Sequence, residues 1–158
     1  MTGAESFLLQ RVQPALVGLI DGSLATLAPI FAVALATHKP HYAFIAGAAS
    51  AIAAGVSMAY SEGLSDTGEL TGRGHPVSRG AITGAGTFVG GILHTLPFLI
   101  PRYETALATA VAVVCIELVG LAWIRWRFFG SGFFASLGWI TLAAVVIATV
   151  SASLGSTA

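Results

Sequence analysis

The sequence predicts an all-α membrane protein with five transmembrane helices, and three observations carry that reading. First, 56% of the 158 residues are hydrophobic and only 9% are charged. A soluble domain carries about a quarter charged residues, so this chain cannot clothe itself in polar surface. Second, apolar stretches recur at about 13–36, 42–64, 79–100, 104–127 and 133–154. Each is roughly 20 residues or longer, enough to cross a hydrocarbon core of about 30 Å at about 1.5 Å per residue. Third, no stretch shows the alternation over about 10 residues that a transmembrane strand requires.

The first stretch competes with a secretory signal peptide, because Arg11 precedes an apolar run that ends in Ala34-Leu35-Ala36. Its length, the acidic Asp21 and the internal Pro29 favour a retained helix. The second stretch repeats a small residue every fourth position, at Gly47, Ala51, Gly55, Ala59 and Gly63, and the third carries Gly80, Gly84, Gly86 and Gly90. Such stripes let helix backbones approach closely where lipid supplies no hydrophobic push. Trp123, Trp126 and Trp139 stand near the ends of the last two stretches, where an interfacial aromatic belt belongs. The longest linker, Ser65 to Ser78, is too short for a domain, and no internal repeat is evident. Residues 1–158 therefore read as a single transmembrane domain.

Charge sets the expected orientation. Arg11, Arg73, Arg79, Arg125 and Arg127 fall on one side of a five-helix arrangement, and Lys39 and Arg102 on the other. The arginine-rich side is expected in the cytoplasm, with the N-terminus inside and the C-terminus outside, in a bacterial inner membrane. A formal net charge of zero gives no support for a nucleic-acid partner. A lone Cys115 excludes an internal disulfide and reads as a small apolar residue inside the bundle.

Ionisable residues at membrane depth are costly and mark function. With this orientation Asp21 lies roughly 12 Å from the cytoplasmic side, Met58 roughly 10 Å and Glu117 in a similar layer. Glu62 follows Met58 by one turn, at the inner mouth. Oxygen ligands alone suit magnesium or calcium, whereas an added sulfur favours softer metals such as ferrous iron. Asp21, Met58 and Glu62 are therefore the expected metal ligands, with Glu117 and His94 as secondary candidates. Each also has a plainer reading. Met58 fits as packing, Glu62 as a solvated end, Glu117 as a partner of Arg125 and His94 as a hydrogen-bonded structural residue. One protomer offers a thin ligand set, and a two-fold homodimer would double it around its axis.

Several motifs resemble the vacuolar iron transporter family. Gly18-Leu19-Ile20-Asp21-Gly22 is similar to its first-helix signature, and Ser57-Met58-Ala59 with Glu62 and Ser65 to its second-helix ending. Arg79-Gly80-Ala81 through Gly84, Phe88, Gly90-Gly91 and Leu96-Pro97-Phe98 resembles its third helix. The resemblance implies a dimeric carrier that moves ferrous iron, or manganese, out of the cytoplasm in exchange for protons. It also implies that Asp21 and Met58 line the path and that Glu62 serves ion entry. The metal is substrate, and no permanently bound cofactor is implied. The chain departs from the pattern in lacking the glutamate-rich cytoplasmic domain that many members insert after the second helix. Gly63 replaces a common tyrosine, and Ser61 stands where glycine is usual. The Trp123-Ile124-Arg125-Trp126-Arg127 segment resembles the transporter half of bacterial membrane-bound ferritins.

The competing classes are a membrane enzyme, a carrier or channel for another ion or small solute, and a non-transporting assembly subunit. No nucleophile–base set is evident in the sequence, so an enzyme is not expected.

Overall fold

A computed structural model describes residues 3–69 and 71–157. The described residues contain seven α-helices and no strand: α1 (Gly3–Phe7), α2 (Gln13–Ala25), α3 (Leu27–Thr37), α4 (Pro40–Ser65), α5 (Pro76–Leu93), α6 (Tyr103–Phe129) and α7 (Phe133–Gly155). A π-helical turn, Leu8–Val12, joins α1 to α2, and a 3-10 turn, Leu96–Leu99, follows α5. Prolines open α4 and α5, where a missing N–H costs nothing. His38 (φ 52°) and Gly130 (φ 64°) close α3 and α6 in the left-handed conformation that ends helices.

Four helical runs are long and apolar enough to cross a membrane: Gly3–Thr37, Pro40–Ser65, Tyr103–Phe129 and Phe133–Gly155. The α5 helix is not among them, although the sequence places a spanning stretch there. Its position supplies the reason. It packs between α2 and α4, and Arg79, Gly80, Thr83, Gly84, Thr87, Gly90 and Gly91 are all buried. The face of a helix that packs on its neighbours need not be apolar, and the exposed face of α5 carries Val77, Phe88, Val89 and Leu93. The buried hydroxyls of Thr83 and Thr87 bond back to the carbonyls of Arg79 and Thr83, so neither is left unsatisfied.

Two expected helices are interrupted. The first breaks at Thr26, because Pro29 lacks the N–H that would close a turn on the Ala25 carbonyl. The third ends as an α-helix at Leu93 and passes into the 3-10 turn, because Pro97 denies Leu93 the same bond. Continuous helices over 13–36 and 79–100 are thus corrected to helices with a joint, and the two joints lie against each other.

Close backbone approach explains the glycine stripes. A methyl group at Gly22 would fall on the Thr87 carbonyl, and one at Gly84 on the Gly55 carbonyl and Ala59. The α2–α5 and α4–α5 seams therefore use these glycines within one chain. Two apolar clusters fill the rest of the interior. One contains Leu16, Leu27, Leu118, Leu121, Ile140 and Ala144, and the other Ile30, Ala34, Ala43, Phe98, Ala106 and Ala110. Large side chains such as Ile116, Phe134, Trp139 and Leu154 face outward, as lipid contact would require. Cys115 also faces outward, not into the bundle as the sequence suggested. Trp123 and Trp126 are half exposed near the end of α6.

Replacing Gly22 with alanine should destabilise the fold by about 1–3 kcal/mol, since backbone must shift to admit the methyl group. Gly120, in the middle of α6, has open space around it. Gly120→Ala should be neutral or stabilising by up to about 1 kcal/mol. Thermal unfolding of both variants in detergent checks the contrast, and equal effects would contradict the seam.

Candidate functional site

Val17, Ile20, Asp21, Leu24 and Ala25 recur at the spacing of one helical face on α2. That face is turned away from α5, because Gly18 and Gly22 occupy the α5 side. On α4, Ala59 abuts Gly80 and Gly84 of α5. Met58 precedes it by one residue, a turn of about 100° around the helix, and points elsewhere. Asp21 and Met58 consequently line one open groove of about 460 Å³, with Val17, Ile20, Leu24, Ala25 and Ile147 of α7. Both residues are half-buried. A carboxylate offers up to two oxygens and a thioether one soft sulfur, so the pair supplies a mixed ligand set. Among the described residues, no three His, Cys, Asp or Glu side chains gather as a metal cage. Of the ligand types the sequence singled out, the groove of one protomer contains this one carboxylate and this one thioether.

Glu62 does not reach this groove. Its carboxylate is held by Arg73 Nη2 and Arg79 Nε. Arg79 opens α5 and is 1% exposed. Its Nη2 donates to the Glu62 carbonyl at 3.0 Å, the Asp66 carbonyl at 3.2 Å and Ser65 Oγ at 3.1 Å. The guanidinium thus caps the last carbonyls of α4, which no further helical turn satisfies. Asp66 accepts from Arg73 and Arg79, each at 3.3 Å, and from Thr71 Oγ1 at 3.3 Å. Partial burial alone would raise the Asp66 pKa. The Gly68 backbone N–H, the two guanidiniums and the Thr71 hydroxyl outweigh it and hold the carboxyl below its ordinary value of 3.8. Gln10 ties the N-terminal helix to the same loop through the Gly72 carbonyl at 3.1 Å.

The secondary candidates meet each other. His94, at the end of α5, is 1% exposed. Its Nδ1 lies 2.9 Å from Glu117 Oε2 of α6, and its Nε2 lies 2.7 Å from Thr26 Oγ1 at the α2–α3 joint. Glu117 does not pair with Arg125, whose Nε donates to Ser136 Oγ at 3.2 Å. The order hydroxyl–imidazole–carboxylate is that of an acyl-transfer triad, a set the sequence reading did not find. Thr26 is fully buried, however, and the groove lining includes none of the three residues. No substrate carbonyl can approach the hydroxyl in this conformation, so the trio is a buried polar chain.

Structure thus brings Asp21 to Met58 and His94 to Glu117, and keeps Glu62 in a separate arginine clamp. Sequence reasoning missed Thr26 and the clamping roles of Arg73, Arg79 and Asp66. Proline at positions 29 and 97 was the available signal for the joints, but nothing local in the sequence names the partners.

The Asp66 titration is a direct check on the clamp. A carboxyl with a lowered folded-state pKa stabilises the folded loop above its unfolded value and loses that contribution as pH falls through the folded value. We expect the Asp66 carboxyl to titrate below 3.8 by NMR and to move up in Arg73→Ala. A midpoint unaffected by that substitution would contradict the pairing. Searches of family models, curated proteins and solved structures found no match to this chain.

Proposed function

We propose that the protein carries a divalent transition metal, ferrous iron first and manganese second, out of the cytoplasm in exchange for protons. The observation that supports this most is the common groove of Asp21 and Met58, described above. A carboxylate inside an apolar helix bundle is costly without a counter-charge, and a cation is the counter-charge that a transported substrate would supply. The neighbouring thioether biases that cation toward softer metals and away from magnesium.

The rest of the reading follows from the groove being open and thinly furnished. A homodimer in which two grooves face one another would double both ligands around a two-fold axis. Each protomer would cross a bacterial inner membrane five times, with α5 as the fifth span, sheltered by α2 and α4. The arginine-rich end, carrying Arg11, Arg73 and Arg79, would face the cytoplasm. Glu62 would then sit at the cytoplasmic mouth, and an entering cation would compete with Arg73 and Arg79 for its carboxylate.

Metal uptake into proteoliposomes across a pH gradient tests the proposal. Asp21→Asn and Met58→Ala should each lower ferrous iron transport at least about tenfold, equivalent to about 1.4 kcal/mol. Iron transport at the wild-type rate in both variants would reject the assigned path. A protein that moves magnesium as readily as iron would reject the soft-metal reading.

A further inference from the structure

The connection between α3 and α4 is only His38 and Lys39, and its sequence sets its shape. His38 closes α3 in the left-handed conformation, at φ 52°, and its N–H donates to the Ala34 carbonyl at 2.9 Å. Pro40 opens α4 and keeps the residue before it extended, so Lys39 stands at φ −116° and ψ 107°. The Lys39 N–H donates to Thr37 Oγ1 at 3.2 Å. Glu62 and its arginine clamp lie at the opposite end of α4, roughly 35 Å away. The turn joins two runs that are each long and apolar enough to cross a membrane. In a bilayer it therefore lies where headgroups meet hydrocarbon.

Beside this turn an open groove of about 710 Å³ runs between the start of α4 and the segment Phe98 to Pro101. Seven of its ten lining residues have hydrocarbon side chains, and His38, Lys39 and His41 supply the polar ones. Ile45 and Leu99 are 54% and 60% exposed. Ile45 follows Lys39 by under two turns of α4, about 9 Å further along the axis. The groove is thus cationic at the helix end and apolar toward the middle of the bundle. No acid answers the cation. The sequence holds none from Gly22 to Ser61 or from Leu70 to Tyr103, the stretches that build the groove. Glu104, just beyond, is paired with Arg102 at 3.5 Å. Among the described residues no ion pair involves Lys39, and its ammonium rests 5.6 Å from the centre of the Tyr42 ring. In the same corner the Tyr103 ring lies 4.9 Å from that of His38. The Tyr103 hydroxyl is buried and has no hydrogen-bond partner, an unsatisfied polar group of the kind that costs stability.

We propose that this groove binds one anionic phospholipid, with its phosphate on Lys39 and an acyl chain along Ile45 and Leu99. Charge and wall chemistry select the occupant together. A free phosphate would meet the ammonium but leave the apolar wall uncovered. An uncharged chain would cover the wall but leave the ammonium without a counter-charge, and an anionic headgroup supplies one at this level of a membrane. The aromatic rings of Tyr42 and Tyr103 flank the turn, as rings do where a helix end meets the headgroups. The inference rests on the chain lying in lipid and does not depend on the metal reading.

Native mass spectrometry of the purified full chain in a non-ionic detergent, titrated with phosphatidylglycerol or phosphatidylcholine, tests the site. The wild type should retain phosphatidylglycerol in preference to phosphatidylcholine. Lys39→Gln should weaken phosphatidylglycerol binding about fivefold, the equivalent of about 1 kcal/mol for one cation at a lipid headgroup. Lys39→Arg should keep the binding, and so should Arg127→Gln, which removes an exposed charge from the other end of α6. Glycerol 3-phosphate, which has the headgroup charge without the chains, should not displace the lipid. A second measurement places the chain. In Leu99→Trp, phosphatidylglycerol with brominated acyl chains should quench the added tryptophan emission, read against the wild type, more strongly than brominated phosphatidylcholine does. Equal retention of the two lipids, equal losses in Lys39→Gln and Arg127→Gln, or displacement by glycerol 3-phosphate would overturn the proposal. So would equal quenching by the two brominated lipids, a result that needs no change at Lys39.

Discussion

Close contact of α5 with α2 on one side and α4 on the other is the constraint from which the remaining architecture hangs. Gly18 and Gly22 turn one face of α2 to α5, and Gly55 and Ala59 turn one face of α4 to it. Those choices leave Asp21 and Met58 on faces that cannot reach α5, and both open onto the same groove. The two ends of α5 are committed as well. Arg79 at its start caps α4 and clamps Glu62, and His94 at its end reaches the α2–α3 joint. Shifting α5 by one helical turn would break all of these relations together.

Energetically the bundle divides its labour between an apolar exterior and a close-packed, partly polar interior. Without a solvent-driven hydrophobic push inside a bilayer, helices cohere through backbone proximity and satisfied polar groups. The interior threonines Thr83, Thr87 and Thr95 show the second device, since each hydroxyl bonds a carbonyl one turn earlier in its own chain. The Thr26–His94–Glu117 chain departs from that rule. It runs between helices, from the α2–α3 joint through the end of α5 to α6. A buried polar chain is costly unless its groups find partners, and here each ring nitrogen of His94 has one.

Much of the helical framework was legible in the sequence, because hydropathy and length report directly on helices that face lipid. The ends of α4, α6 and α7 fall within about two residues of the expected bounds, the usual looseness of helix termini. The two joints were not anticipated, although Pro29 and Pro97 mark them, because a proline inside an apolar run is compatible with either a kink or a stop. Helical rise gave Asp21 and Met58 similar expected depths, and both line one groove. The fate of Glu62 was not legible, because Arg79 approaches it across a loop and so lies outside any local pattern. Thr26 stands 68 residues from His94 and Glu117 stands 23 away, separations at which a single sequence records no pairing. The glycine stripes were readable as contact surfaces, but only the structure shows that the contacts lie within one chain.

The central claim is that a thioether and a carboxylate in the α2–α4 groove bind the same metal ion. X-ray absorption spectroscopy of the purified protein loaded with ferrous iron measures this directly. The account predicts a sulfur scatterer in the first coordination shell of the wild type, and its replacement by oxygen or nitrogen alone in Met58→Leu. A wild-type shell built only from oxygen and nitrogen, or a sulfur signal that persists in Met58→Leu, would contradict it.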